Sequence, residues 1–492
     1  MRIALYIAAP LCLALAACGS TPRPDLRLPA AYEAPQPTSP QPAASAAAAP
    51  VALDHWWTTF DDPQLTGLID QALIANPDAK SAAARLLEAR ANRQGSLFQF
   101  LPQGEAKGSA THTDTRGGLV IPGIQIPGLT NGGASNSYAA NFDVSWEVDL
   151  FGRFLAARRV ANADVAAAGF DYVATRTSLA AQVADAYFQA RGLAIQLADA
   201  RETARIQHEL YDLASRRAAA GLAATSEADR VAGDLAQSQS QVASLEAELQ
   251  VERRTLLILA GRTVEPTRSV EVPAFLDAPP AVPATVPSEL LRRRPDVRRA
   301  EAQLEAAIGS QTVARLAFLP TFTLKPGYGW SKTVQGNSVN ASTSWILGGA
   351  VSQPLLNIPN LLAQAKVYNA RARQSAAAYE KAVQTAFGEA EGSLVRLDAS
   401  RRQVVLLTDG EVRARRAYEA SRLGYSRGLN DLQTTLSAEQ SWRTTRSQLT
   451  SAQVQAVRQA VQAFKAIGGG WSVGEPPSRP QAAASAAADH GA

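Results

Sequence analysis

The second half of the chain repeats the first, and the repeat keeps its punctuation. Pro77-Asp78 opens a helical run that closes at Leu101-Pro102, and Pro295-Asp296 opens another that closes at Leu319-Pro320, each pair 218 residues apart. Farther along, Gly221-Leu222 answers to Gly428-Leu429 and Ala260-Gly261 to Ile467-Gly468, now 207 residues apart. The offset changes only within Gly117 to Ser135, a Gly/Pro-rich stretch that the second copy replaces with a shorter turn near Gln335-Gly336-Asn337. One unit was duplicated, and one loop then diverged in length. Each unit reads helix, strand, turn, strand, very long helix, tight turn, long helix, an order suited to building a tube rather than an enzyme pocket.

The long helices exceed what a compact domain can hold. From Phe154 to Ala219 there is no Pro and little Gly, and a helix of that length reaches ~100 Å at ~1.5 Å per residue. Its return leg is heptad-like: Val231, Leu235, Val242, Leu245, Leu249, Leu256 and Leu259 fall on alternating steps of four and three, with Ser238 and Glu252 as exceptions. In the second copy Trp442, Leu449, Ala456 and Ala463 recur every seven residues, and small seam residues let neighbouring helices approach closely.

The strands alternate. Phe142, Val144, Trp146, Val148 and Leu150 point one way, and Asn141, Asp143, Ser145, Glu147 and Asp149 the other. In the second copy Phe322, Leu324, Tyr328 and Trp330 alternate with Thr321, Thr323, Lys325 and Ser331, and Trp345, Leu347 and Val351 share one side of the partner strand. Gln103 to Asp114, the first strand, is only weakly patterned. A period of two with charges opposite bulky apolar groups fits a strand between water and an apolar medium, although a soluble sandwich gives the same pattern. Four strands leave open edges, whose amide and carbonyl groups cannot face lipid. A membrane barrel therefore requires several chains to contribute.

Composition sets the address and removes other functions. Met1-Arg2 and the apolar run Ile3 to Ala14 have the form of an export signal, too short for a membrane span. Leu15-Ala16-Ala17-Cys18 is similar to the lipobox of bacterial lipoproteins, so residues 1–17 are a signal peptide and Cys18 is the expected lipidation site; Gly19, rather than Asp, favours the outer membrane. Residues 18–55 form a Pro/Ala-rich tether and 472–492 a disordered tail. The formal net charge is only +4, with basic residues scattered among acidic ones, so no nucleic-acid footprint is indicated. A single Met, two Cys and four scattered His (His55, His112, His208, His490) give no metal or cofactor cluster and no catalytic constellation.

The run Pro287-Ser288-Glu289-Leu290-Leu291-Arg292-Arg293-Arg294-Pro295-Asp296-Val297, then Ala300-Glu301 and Phe318-Leu319-Pro320, resembles the TolC-like outer-membrane factors. Within that family the chain looks like the NodT-type lipoproteins of resistance–nodulation–division efflux systems. Trp146-Glu147-Val148-Asp149-Leu150-Phe151-Gly152-Arg153 is similar to the family's strand-to-helix junction and Gly348 to Leu355 to its second-copy counterpart. Leu423-Gly424-Tyr425 through Gly428-Leu429 resembles the second tunnel tip, and Gly468-Gly469-Gly470-Trp471 a frequent ending.

The resemblance implies an α+β membrane protein. Four strands per chain close a trimeric twelve-stranded outer-membrane β-barrel, continued by a long α-helical coiled-coil periplasmic tunnel. It implies repeats at 56–264 and 287–471, an inter-repeat equatorial segment at 265–286, a homotrimer, a periplasmic adaptor and an inner-membrane pump. The duct would catalyse nothing and pass small toxic compounds to the exterior; the exit of a type I protein-secretion system and a lipid-anchored stalk without a pore are the alternatives. Many relatives carry an acidic ring at the tunnel mouth. The matching place here is Ser437, with Gln433 and Gln440 beside it, which leaves Asp431, Glu439, Glu227 and Asp229 as substitute charges. Tyr425 matches an aromatic gate position, and with Ser437 in place of the usual acid Tyr425 and Asp431 are expected to share the closing role through Arg427 or Arg230 on an adjacent helix.

Overall fold

The computed structural model describes residues 24, 28–33, 53–114, 134–283 and 285–471. Cys18, the signal peptide, most of the tether, the tail and loop residues 115–133 lie outside the described residues. Seven principal helices and four strands follow in order: α1 (Pro63–Ala75), α2 (Pro77–Phe98), β1 (Gln103–Asp114), β2 (Ala134–Val148), α3 (Arg153–Ala219), α4 (Thr225–Leu259), α5 (Pro295–Leu316), β3 (Thr321–Gln335), β4 (Ser338–Ser352), α6 (Ile358–Ser426) and α7 (Leu432–Ala466). The duplication extends to element lengths. Helices α2 and α5 each have 22 residues, α4 and α7 each 35, and α3 and α6 have 67 and 69.

The repeat's glycines end helices. Gly221, Gly261, Gly428 and Gly468 have φ of +68°, +73°, +72° and +83°. The residue after each donates its amide five residues back: Leu222 to Arg217, Arg262 to Leu257, Leu429 to Gly424 and Gly469 to Phe464, at 2.7–2.9 Å. This is the Schellman closure, in which a left-handed residue lets the last carbonyls of a helix find donors. It stops α3, α4, α6 and α7 at equivalent places in the two copies.

One compact unit comprises residues 88–166 and 302–377 among those described. Its sheet has the order β1-β2-β3-β4, all neighbours antiparallel. The two-residue turn Gly336-Asn337 joins β3 to β4. The family-like junction after β2 is a helix start: the Asp149 carboxylate accepts from the amides of Arg153 (2.8 Å) and Phe154 (2.9 Å), satisfying free donors of α3. Arg153 in turn donates to the carbonyls of Leu316 and Leu319 at the end of α5, both at 3.0 Å, and to Glu147. The expectation that the strand reaches Leu150 is corrected. It ends at Val148, because Asp149 is drawn off the ladder to cap α3.

The other unit comprises described residues from 28–87, 167–301 and 378–471. Its main core joins Leu65, Ile69, Tyr187, Leu256, Leu257, Val461 and Phe464, with Trp56 stacked on Phe464 at 5.7 Å. The heptad seam of α4 is its buried face: Val231, Ser238, Leu245, Leu249 and Leu256 are buried, and Ser238 fits because its hydroxyl donates to the carbonyl of Leu235. The Arg294-Pro295-Asp296 signature is a knot. Arg294 is buried, forks onto Asp296, reaches Glu389 at 2.7 Å and donates to the Ala466 carbonyl. The inter-repeat segment is anchored by Arg191, which donates to the Phe275 carbonyl at 2.7 Å and pairs with Asp62.

The tether assignment of 18–55 is also corrected. Tyr32 is buried against Leu290, Ala390 and Ala466 and stacks on Phe387 at 5.9 Å. Leu28 packs beside Val297 and Val383, and Leu53 begins a 3-10 helix that enters the main core. Tyr32, Leu28 and Leu26 are the only large apolar residues between Ser20 and Pro50, and two of them dock.

Candidate functional site

Two surfaces hold the residues singled out in the sequence: the faces of the sheet, and the hairpin ends where α3 turns into α4 and α6 into α7.

Antiparallel residues that oppose one another share a face, so the register sorts every strand position. Phe142 opposes Tyr328, which opposes Trp345; Trp146 opposes Leu324; Val148 opposes Phe322, which opposes Val351; Ala140 opposes Trp330. Val144 lies between Phe142 and Trp146 on the same face. The large members are exposed, Phe142 at 51%, Tyr328 at 58% and Trp345 at 79%. Leu150 is exposed too, but beyond the strand. No helix among the described residues is long and apolar enough to cross a membrane; the large exposed apolar side chains of the sheet gather on this face, with Lys332, opposite Tyr138 and Ala341 toward the turn, as its one Lys.

The opposite face is water-like. From the turn toward the helices its rows read Thr113, Ser135, Gln335, Ser338; Thr111, Ser137, Thr333, Asn340; and Ser109, Ala139, Ser331, Ser342. Charges come only in rows nearer the helices, as Lys107, Glu105, Asp143, Lys325 and Glu147. Ile346 is the one large apolar side chain on it. The weak pattern of β1 has a cause. Its positions on the apolar face are Gly104, Ala106, Gly108 and Ala110, then the polar His112 and Asp114 toward the turn, and a Cβ at residue 104 would meet the Phe142 ring at 3.1 Å, so Gly104 makes room for a side chain from β2.

At the hairpin ends the two repeats meet. Ile206, Leu210, Ala214 and Val231 from the first pack against Tyr418, Tyr425, Leu432, Leu436 and Trp442 from the second. Tyr425 is buried, with the Arg217 guanidinium 5.0 Å from its ring centre. Asp431 is exposed and serves as the N-cap of α7, accepting from the Thr434 amide at 2.7 Å. Hydrogen bonds from the Thr434 hydroxyl and amide hold its carboxyl below the usual range. Arg230 bonds Gln433 rather than Asp431. Ser437, Gln433 and Gln440 line one exposed, uncharged strip of α7, while Asp229 is exposed and Glu227 half-buried.

Glu439 differs from the expectation for it. It is fully buried, its Oε2 accepts from the Gln207 amide at 2.7 Å, and Arg443 lies 3.5 Å from Oε1. Burial pushes its carboxyl above the usual range, against the pull of Arg443. It faces the inside of its own chain, so it presents no charge to an opening shared between chains. Sequence reasoning missed Gln207, Tyr418, Trp442 and Arg217. Tyr418 and Trp442 stack at 5.2 Å, and Trp442 donates to Glu411 at 2.9 Å; the heptad position of Trp442 was the one signal for this group.

The family model described as outer membrane efflux protein matches residues 68–262 and again 286–469, once on each repeat. A pyoverdine export outer membrane protein, OpmQ of Pseudomonas aeruginosa, is 30% identical over 460 residues, covering 94% of this chain and 95% of the relative. The cation efflux system protein CusC of Escherichia coli O6:H1 is 26% identical over 470 residues, covering 94% and 98%. Among solved structures the outer-membrane channel OprN superposes with a TM-score of 0.77 at 28% identity, covering 92% of this chain and 99% of that one.

Proposed function

The chain belongs to the outer membrane efflux protein family, and from that premise we propose that three copies form the exit duct of a tripartite efflux pump, joined by a periplasmic adaptor to an inner-membrane pump. It is a transport channel and not an enzyme. The observation that carries the trimer is the sheet itself: β1 and β4 each have one edge without a partner among the described residues, while one face carries large exposed apolar side chains. In hydrocarbon each unpaired backbone group costs several kcal/mol. Three four-stranded sheets joined edge to edge would pair them all in a closed barrel of even strand number. The apolar face would then meet lipid, and the hydroxyl-rich face would line the pore.

The hairpin ends are assigned as the closure of the duct. Tyr425, Asp431, Ser437, Glu227, Asp229 and Arg230 lie at or near that end, and contacts there need to be weak enough for an adaptor to displace. The cargo is small molecules selected by the pump. OpmQ is named for pyoverdine and CusC for cations, and a pore wall of Ser, Thr and Asn with few charges suits such a range. Cys18 anchors the chain to the outer membrane by lipid.

Two measurements test this reading. Purified protein reconstituted in a planar bilayer should conduct ions as a trimer; a protein that inserts and never conducts would sink the duct. Labelled palmitate should enter the wild type and not Cys18→Ser, and a wild type that takes up none removes the anchor. Partial rather than complete loss of export is expected for Cys18→Ser, since the barrel also holds the chain in the membrane.

A further inference from the structure

We propose that Glu439 is a proton-operated latch inside each chain, whose protonation tightens the seat of the α6–α7 hairpin on α3. This rests on reading the hairpin end as the closure of the duct, and it adds what sets the firmness of that closure.

Glu439 is the only acidic residue among the described residues that is buried. It stands on α7 two turns past the N-cap, and its single good hydrogen bond crosses to α3 of the other repeat, at Gln207, itself fully buried. The surrounding polar groups are under-used. Gln207 Oε1, Glu439 Oε1, Tyr418 Oη, Tyr425 Oη and Ser421 Oγ are all buried without a hydrogen-bond partner in the structure. Buried groups of this kind are uncommon in native proteins and cost free energy where they occur. Here five of them share one short stretch of helix packing.

The chemistry of the pair explains how a proton changes this. An ionised Glu439 only accepts, so Gln207 Oε1 has nothing to bind. A neutral carboxyl can donate its O–H to Gln207 Oε1 while its carbonyl accepts from Gln207 Nε2, a cyclic acid–amide pair that satisfies both side chains. The charged groups facing Glu439 are Arg443 on α7, which favours the ion, and Asp234 on α4, which opposes it; Tyr418 on α6 faces it as a neutral phenol, with Arg422, Glu209 and Arg205 around that ring. Burial outweighs Arg443, so the folded form holds the proton more tightly than an exposed glutamate does. A carboxyl raised in the folded state contributes stability at low pH, and that contribution is lost as pH rises from the ordinary carboxylate range through the raised value. Lowering the pH therefore seats the hairpin, and raising it through the raised value loosens it.

Glu439→Gln mimics the protonated acid, since its amide both donates and accepts. Hydrogen exchange on the full-length protein in detergent, comparing variants at one pH so that intrinsic rates cancel, reads the latch directly. At about pH 7.5 segments 206–214 and 418–442 should exchange several-fold more slowly in Glu439→Gln than in wild type. At about pH 5 the difference should shrink. Gln207→Glu, which sets two carboxyls face to face, should do the reverse and steepen the pH dependence, whereas Glu248→Gln on the exposed side of α4 should do nothing. Equal exchange in wild type and Glu439→Gln at both pH values, with Gln207→Glu also silent, overturns the latch. Conductance in a planar bilayer separates the two readings: an exchange difference with no change in single-channel behaviour keeps the latch and removes the hairpin end as the closure.

Discussion

Residues on the sheet act by the side they face. Val144 and Ser145 are neighbours in sequence and opposite in exposure to lipid on the proposed reading. Val144→Arg should destabilise the assembled barrel by ~2–4 kcal/mol if the site lies near the bilayer midplane, and Ser145→Arg should be tolerated far better. The yield of trimers surviving mild detergent measures both; equal damage would mean the faces are misassigned. The alternation of Phe142 to Val148 was legible because each large side chain sits on a period of two. That of β1 was not, because a strand can share an apolar face by making room for it, and Gly104 under the Phe142 ring carries no hydrophobic signal of its own. Glu439 was illegible for a related reason. Its burial depends on Gln207, 232 positions away, and nothing in its own heptad announces that partner.

Helices here are defined by their ends. Gly428 sits at φ +72°, where a Cβ costs roughly 1–2 kcal/mol, while Gly233 lies inside α4 with open space around it, where Ala gains up to ~1 kcal/mol. Gly428→Ala should therefore lower the thermal midpoint and Gly233→Ala raise it; both moving the same way would contradict the closures assigned to these turns. Asp431 is tested by comparing two variants. Asn also caps helices well, so Asp431→Asn should keep the first turn of α7 ordered and change only charge, whereas Asp431→Ala should fray it, as helix protection by hydrogen exchange would report. Its lowered carboxyl makes the sign definite: the charged cap stabilises α7 above the ordinary carboxylate range, and that contribution is lost as pH falls through the lowered value. If Asp431→Ala leaves α7 protected, the cap is not what holds it. These ends were legible in the sequence because Gly has a conformational signature that survives without context. Tyr32 is the counterexample: Pro and Ala around it suggested a free tether, and its docking against Leu290 and Ala390 is visible only once the second repeat has folded.

For the whole molecule, the two hairpin ends share one cluster, Ile206, Leu210 and Val231 with Tyr418, Leu432 and Leu436, and the return legs α4 and α7 both have 35 residues. Removing one heptad from both arms of a single hairpin should separate those partners and lower the yield of assembled protein. Removing it from both hairpins should restore assembly. If both variants assemble equally well, the meeting of the ends does not depend on matched length. The same feature limits how such a chain can evolve. Its reach is written twice in one gene, so a lone insertion or deletion produces one long leg and one short one, and selection meets a limping protein before the second edit arrives. Changes of reach should therefore enter lineages by copying between the two halves of the gene, and related chains should differ in span by the same number of residues in each half.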